Sequence, residues 1–123
     1  MAAPNLVAPT TITGKTVTVN LTTTSATSVL SNAASSGKAL KVNSLYVANT
    51  TASAANITIN QYSAAALGGT AFPIASTIAV PGNATLVVID KDAYVYLEEN
   101  TSLGATAGTS SALQIVCSYE DIS

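Results

Sequence analysis

The sequence contains no histidine, no tryptophan and no arginine, and it has a single cysteine, Cys117. Without histidine, the chain lacks the usual general base of hydrolytic triads and the commonest zinc ligand. A lone cysteine cannot form an internal disulfide, so the chain is not a disulfide-stapled secreted scaffold. These absences argue against an enzyme. We expect a non-enzymatic protein without a cofactor or a metal.

Charge is scarce as well. Charged residues make up 8% of the chain, where about 25% is usual. There is no Asp, Glu, Lys or Arg in residues 16–37 or 42–89. A net charge of −2 with four lysines gives no basic patch, so nucleic acid is not an expected partner. No apolar run approaches the roughly 18 to 20 residues of a membrane span, and the first residues lack a signal-peptide pattern.

What is present is an alternation of apolar and polar residues with a period of two, which is typical of half-buried strands. "TVTVNLT" (16–22) and "NITINQY" (56–62) show it clearly, and in "KALKVNSLYVAN" (38–49) the phase slips near Asn43 and Ser44. This pattern predicts either a β-bulge or a strand buried on both faces, and we favour the bulge. We expect residues 44–62 to form a hairpin with "TTASA" (50–54) at its tip, and Pro73 to lie in an edge strand or at the start of a strand.

The second half of the chain continues the pattern. "TLVVI" (85–89) is apolar on both parities, which predicts a strand covered on both faces. "TSLGATA" (101–107) and "SALQIVCSYE" (111–120) predict a second hairpin, with Leu113, Ile115 and Cys117 on one face. No window has a helical period. About eight or nine short strands predict an all-β fold, a single antiparallel β-sandwich of the jelly-roll or immunoglobulin-like type, over residues 13–123. Residues 1–12, with two prolines, predict an extended N-terminal arm.

Several residues are candidates for chemistry, and each has a structural interpretation that we favour. Cys117 lies on the apolar parity of its strand with no histidine to activate it, so a core thiol is expected rather than a nucleophile. Glu98 and Glu99 are adjacent and would point to opposite faces of a strand. Asp90 and Asp92 could begin a calcium loop, but a plain turn is expected. Gly68 and Gly69 lack the spacing of a phosphate-binding loop.

Tyrosines and the order of the charges suggest contacts between proteins. Tyrosines fill sheet faces and subunit interfaces, although they can also form a platform for sugars or bases. All six acidic residues follow Ile89, whereas three of the four lysines lie in the first third of the chain. This order predicts an acidic and a weakly basic region that identical copies could use to pack head to tail.

Residues 37–122 resemble small virion structural proteins of tailed bacteriophages, particularly those of marine cyanobacterial phages. The similarity lies in the order of "LYVAN" (45–49), "TLVVID" (85–90) after a Pro-Gly turn, "YLEEN" (96–100) and "CSYEDI" (117–122). Asn100 stands where the family usually has a Gly-Asp turn. The resemblance implies a component of a virus particle and no catalytic residue.

We therefore expect a virion structural protein, made in the cytoplasm of the bacterial host. A capsid decoration or cement protein is the first hypothesis, a neck, tail or fibre component is the alternative, and a carbohydrate-binding β-sandwich module is more remote. The expected partners are the major capsid protein or neighbouring virion proteins, and other copies in a homo-oligomer such as a trimer. The interface residues predicted are Leu6, Val7, Ile12, Tyr46, Tyr62, Tyr94 and Tyr96.

Overall fold

The computed structural model describes residues 4–123, which form nine strands and one short 3-10 helix. The strands are β1 (Ile12–Leu21), β2 (Thr27–Asn32), β3 (Ala39–Asn49), β4 (Ala55–Ala64), β5 (Gly68–Val80), β6 (Thr85–Ile89), β7 (Val95–Leu97), β8 (Thr101–Ala107) and β9 (Leu113–Ile122), and the helix is Lys91–Ala93. All the strand pairs are antiparallel. The predicted all-β sandwich is therefore confirmed.

The strands form two sheets whose order is that of a jelly roll. Sheet A has the order β1-β9-β3-β6, and β7 pairs with β3 beside β6. Sheet B has the order β2-β8-β4-β5. Along the chain, successive strands alternate between the two sheets, except that β4 and β5 form a hairpin and β6 and β7 share one edge. This alternation selects the jelly roll from the two predicted topologies.

The two predicted hairpins are wrong, because β3 and β4 lie in opposite sheets, as do β8 and β9. The β3–β4 connection crosses the sandwich, and the buried Asn49 side chain fixes its conformation. Its Nδ2 donates to the carbonyls of Ser53 (2.8 Å) and Val80 (2.9 Å), and its Oδ1 accepts from the amide of Thr51 (2.9 Å). An amide side chain thus satisfies backbone groups of the connection and of the end of β5.

The interpretation of "TLVVI" as a strand covered on both faces is also wrong. This segment is β6, which lies at the edge of sheet A, and within residues 4–123 it pairs with β3 alone. Leu86 and Val88 pack against the core, whereas Val87 points outward and is 50% exposed. Ile89 is buried beyond a shift of register between β3 and β6, so Val87 is the apolar residue of this strand that is left at the surface.

The core lies between the sheets and is built by the alternating residues. Leu45, Val47, Ile57, Ile59 and Ile115 are fully buried, and each such side chain contributes about 1.5 to 3 kcal/mol by leaving water. The predicted bulge is confirmed, because the register of β3 against β9 shifts between Val42 and Ser44. Pro73 lies in β5, which is an edge strand of sheet B, as predicted.

The N-terminal segment leads directly into sheet A. Residues 5–8 make a turn in which the amide of Ala8 donates to the carbonyl of Asn5. The amides of Thr10 and Thr11 donate to the carbonyl of Ser123 at 2.7 and 3.0 Å, so the ladder between β1 and β9 continues past the first residue of β1. Residues 1–3 of the predicted arm lie outside the described residues.

Candidate interaction surface

The outer face of sheet A carries a row of exposed apolar side chains. Val116 of β9 is paired with Tyr46 of β3, and Tyr46 is paired with Val87 of β6. Their exposed fractions are 39%, 39% and 50%. We call these three residues the apolar row. They lie at the surface because Leu45, Val47, Ile115 and Cys117, the neighbours on the other parity, fill the core.

A shallow depression adjoins the apolar row on the side of β1. It has a volume of about 320 Å³ and is lined by Thr18, Val19, Asn20, Gln114, Ile115 and Val116. None of these residues ionises, and Thr18, which carries the only hydroxyl among them, has no general base in the lining to activate it. The depression can accept an apolar or amide side chain from a neighbouring protein, but it does not offer the groups for acid–base chemistry.

Tyr94 and Tyr96 lie near Lys41 of β3, which pairs with Tyr96 in the ladder. The two rings are perpendicular (88°) with centroids 5.6 Å apart. Lys41 Nζ lies 4.5 Å from the centroid of the Tyr94 ring, a cation–π contact, and 4.0 Å from Glu120 Oε2. Perpendicular rings do not form a flat two-ring platform of the kind on which a sugar or base would stack.

The structure does not bring all seven predicted interface residues together. Tyr46, Tyr94 and Tyr96 are exposed on strands or loops of sheet A. Leu6 and Val7 are exposed in the N-terminal turn, and Ile12 is exposed at the start of β1. Tyr62 belongs to sheet B and is only 9% exposed. It pairs with Ser102 on the outer face of that sheet, where the turn at Leu67 covers it.

Charged residues do not separate into an acidic and a basic region, and this prediction is corrected. Lys15 and Lys38 both approach Asp121 Oδ2, at 3.4 and 3.2 Å, and Lys41 is the third lysine with an acidic neighbour. The antiparallel pairing of β1 and β3 with β9 brings the early lysines beside the late acids. The lysines are partly exposed, so each pair adds little stability, but their charges are largely neutralised locally.

Sequence reasoning missed other exposed apolar residues. Phe72, Ile74 and Ile78 of β5 are 57%, 38% and 40% exposed, and Val87 and Val116 belong to the apolar row. Alternation marks such residues as facing a common side, but it does not say which side the core covers.

Cys117 is a core thiol. Its residue is fully buried, and it is paired with Val17 on one side and Leu45 on the other. Desolvation by burial raises the pKa of the Cys117 thiol to about 12. The thiolate is the reactive form of cysteine, so this side chain is inert toward electrophiles near neutral pH.

The other candidates for chemistry have structural roles. Asp90 Oδ1 accepts from the amides of Asp92 and Ala93, both at 3.0 Å, and so caps the 3-10 helix. Glu98 and Glu99 follow β7, and Glu99 Oε2 accepts from the amide of Gly37. Gly69 has a φ of +70°, and a Cβ there would overlap Ser63 Oγ. In the part of the chain that the structure describes, no three His, Cys, Asp or Glu residues are grouped as metal ligands, and no helix has the length and hydropathy to cross a bilayer.

Comparisons with known proteins find a likeness in fold and none in sequence family. No protein-family model matches the chain. No curated protein matches it. A solved chain from Bacillus endospore appendages, which form a novel family of disulfide-linked pili, has the same fold with a TM-score of 0.52. The match covers 92% of this chain and 88% of the other at 17% sequence identity, so the likeness is one of fold alone.

Proposed function

We propose that this protein is a non-enzymatic structural component of a tailed-bacteriophage virion, and that it acts as a capsid decoration or cement protein. The observation that carries the proposal is the apolar row of Val116, Tyr46 and Val87 and the uncharged part of the outer face of sheet A around it. The charged pair Lys41 and Glu120 lies further along the same face. The resemblance of residues 37–122 to small virion proteins is the reason for proposing a tailed-bacteriophage particle.

The physical argument concerns what this surface can bind. Exposed apolar side chains on adjacent strands gain free energy when another protein covers them, at about 25 cal/mol per Å² of apolar surface. Charged residues are normally depleted at the centre of an interface, and the face around the apolar row has none to desolvate. The partners proposed are the major capsid protein or neighbouring virion proteins, and other copies of this chain.

A neck, tail or fibre component is the second candidate, and the fold comparison favours it. The solved chain with the same fold belongs to appendages that form pili, so a jelly roll of this size can serve as a repeating part of a filament. The disulfide linkage of those pili does not transfer, because the single cysteine of this chain, Cys117, is buried in the core.

The proposal is tested with purified phage particles. Quantitative mass spectrometry gives the copy ratio to the major coat protein, and cryo-electron microscopy gives the position. A ratio near that of the coat protein, with density on the capsid, supports decoration. A ratio of a few copies per particle, with density in a ring at the neck or tail, supports the second candidate. Absence from the particle refutes both.

A pair of variants tests the surface itself. Tyr46→Glu places a charge at the centre of the apolar row and should abolish co-sedimentation with particles that lack the protein. The matched control is Ser28→Glu, which adds the same charge at an exposed position of β2 in sheet B. Equal co-sedimentation of the two variants would exclude the apolar row as the binding surface.

A further inference from the structure

The unpaired edge of β1 is a second surface that can bind another protein. β1 pairs with β9 over ten consecutive residues, from Ile12 opposite Ile122 to Leu21 opposite Leu113, without any shift of register. On its other side, no strand of residues 4–123 pairs with it. Ile12 to Thr16 and the even-numbered Thr18 and Asn20 are exposed. The strand is thus long, regularly paired on one side and uncovered on the other.

The backbone groups that point away from β9 can be assigned. Thr11 and Ser123 exchange two hydrogen bonds, of 3.0 and 2.9 Å. In an antiparallel ladder, hydrogen-bonded and non-bonded residue pairs alternate. The odd-numbered residues of β1 therefore bond to β9, and the even-numbered residues 12 to 20 direct their N–H and C=O groups to the open edge.

The other three sheet edges carry features that block pairing with a further strand. β5 contains Pro73, has three shifts of register and holds Thr77 at a φ of +52°. β2 is short and shifts its register between Ser28 and Leu30. The β6/β7 edge is interrupted by the 3-10 helix, which carries Lys91 and Asp92. Proline, bulges and charges are the usual means by which proteins protect edges, and β1 has no proline and no bulge.

We propose that β1 is a dimerisation edge, at which two copies of this chain pair β1 with β1 antiparallel about a two-fold axis. The two A sheets then join into one continuous sheet with the order β6-β3-β9-β1-β1-β9-β3-β6. A second copy fits this edge because the interface is self-complementary: each β1 offers the same alternating donors and acceptors that the other requires.

The free groups fix the register. Even-numbered residues must pair with even-numbered residues, and full overlap of residues 12–20 puts Thr16 on the axis. Ile12 then lies opposite Asn20 of the second copy, Gly14 lies opposite Thr18, and Thr16 lies opposite Thr16. With the symmetric repeats, about ten backbone hydrogen bonds form, which is the number found in a typical protein interface.

Charge does not oppose this pairing. Lys15 is the only charged residue of β1, and in this register it lies opposite Val17 of the second copy. Its Nζ remains 3.4 Å from Asp121 Oδ2 of its own chain. Like charges directly opposite each other destabilise strand pairs, and this register places none opposite another.

The biological meaning of this inference rests on the proposed function. It identifies a contact through which two copies of such a virion subunit associate. Its test uses purified protein without any particle. A monomeric protein would refute the β1 dimer and leave the virion proposal standing, whereas absence from particles would refute the virion proposal and leave the dimer standing.

The first experiment is sedimentation equilibrium of the wild type and two variants. Thr16→Pro removes an N–H that points to the open edge and is not used in the β1–β9 ladder, so the subunit should stay folded by circular dichroism. Its dimer should weaken about tenfold or more, since two intermolecular hydrogen bonds are lost. The matched control, Thr16→Val, keeps the N–H and the branched shape and should dimerise as the wild type does. A monomeric wild type, or equal dimerisation of the two variants, would overturn the proposal.

The second experiment tests the register and does not depend on the proline variant folding. Thr16→Cys puts two cysteines directly opposite across the axis, at a Cα separation of about 5.5 Å, which a disulfide can span. Asn20→Cys puts each cysteine opposite Ile12, far from its symmetric mate. Under mild oxidation, Thr16→Cys should give a covalent dimer and Asn20→Cys should not, while Cys117 is buried in both. Cross-linking of both variants to the same extent, or of neither, would overturn the two-fold pairing at Thr16.

Discussion

Replacing Cys117 by serine tests whether this residue has any role beyond packing. The side chain is fully buried between Val17 of β1 and Leu45 of β3. A serine hydroxyl in this apolar position has no evident partner, and burying an unpaired polar group costs about 1 to 3 kcal/mol. For a domain of this length, 1 kcal/mol corresponds to about 4 °C in melting temperature. We therefore expect Cys117→Ser to melt about 4 to 12 °C lower.

The assay is thermal unfolding followed by circular dichroism, with incorporation into particles measured at a temperature where the variant is folded. Cys117→Ala is the matched control, because it removes the sulfur without adding a polar group. Serine should be the less stable of the two, and both should be incorporated normally. An unchanged melting temperature combined with lost incorporation would show that the thiol itself is functional and would refute the packing role.

The pH dependence of stability, compared between the wild type and Cys117→Ala, tests whether the Cys117 thiol is buried. The pKa of the Cys117 thiol is raised from 9.0 to about 12 in the folded protein. Below pH 9 the thiol is neutral in both states, so its contribution to stability is fully present. Between pH 9 and 12 the unfolded thiol ionises and the folded one does not, so the free energy of unfolding should fall by up to about 1.4 kcal/mol per pH unit. Cys117→Ala should lack this part of the alkaline slope, and identical slopes would contradict the burial.

Two further predictions concern the connection after β3 and the N-terminal arm. Asn49→Ala leaves the carbonyls of Ser53 and Val80 without their donor and should lower the free energy of unfolding in urea by about 2 to 4 kcal/mol. The exposed control Asn56→Ala should change it by less than about 0.5 kcal/mol, and similar values for the two would contradict the bridging role. Deleting residues 2–9 removes Leu6 and Val7 but keeps the bonds of Thr10 and Thr11 to Ser123. The circular dichroism should be unchanged while co-sedimentation with particles that lack the protein falls sharply, and equal co-sedimentation would show that the arm does not bind.

The individual strands could be predicted because alternation is a local property. Val17, Val19 and Leu21 share one parity, and the structure places all three against the core. The phase slip at Asn43 and Ser44 likewise predicted the bulge, since a one-residue insertion reverses the faces of everything that follows. Such features need no knowledge of distant parts of the chain.

Strand pairing could not be predicted in the same way. Whether "TTASA" turns back within one sheet or crosses to the other depends on the bonds of Asn49 to Ser53 and Val80, and Val80 is distant in sequence. The exposure of the predicted interface residues could not be predicted from the sequence for the same reason. Tyr46 and Tyr62 both lie in alternating segments and on outer faces of their sheets, but the turn at Leu67 covers Tyr62 and leaves Tyr46 exposed.

The central position of β9 in sheet A has a consequence for the order of folding. β9 follows the other eight strands in the chain, yet it lies between β1 and β3. Sheet B can form from β2, β4, β5 and β8 before β9 is in place, whereas β1 has no partner in sheet A until β9 inserts. Pairing residues about 100 positions apart is slow, because the entropy of closing so long a loop must be overcome first. The edge that we propose for dimerisation therefore exists only once β9 is in place, and we expect chains in which β9 has not paired to be excluded from the assembly.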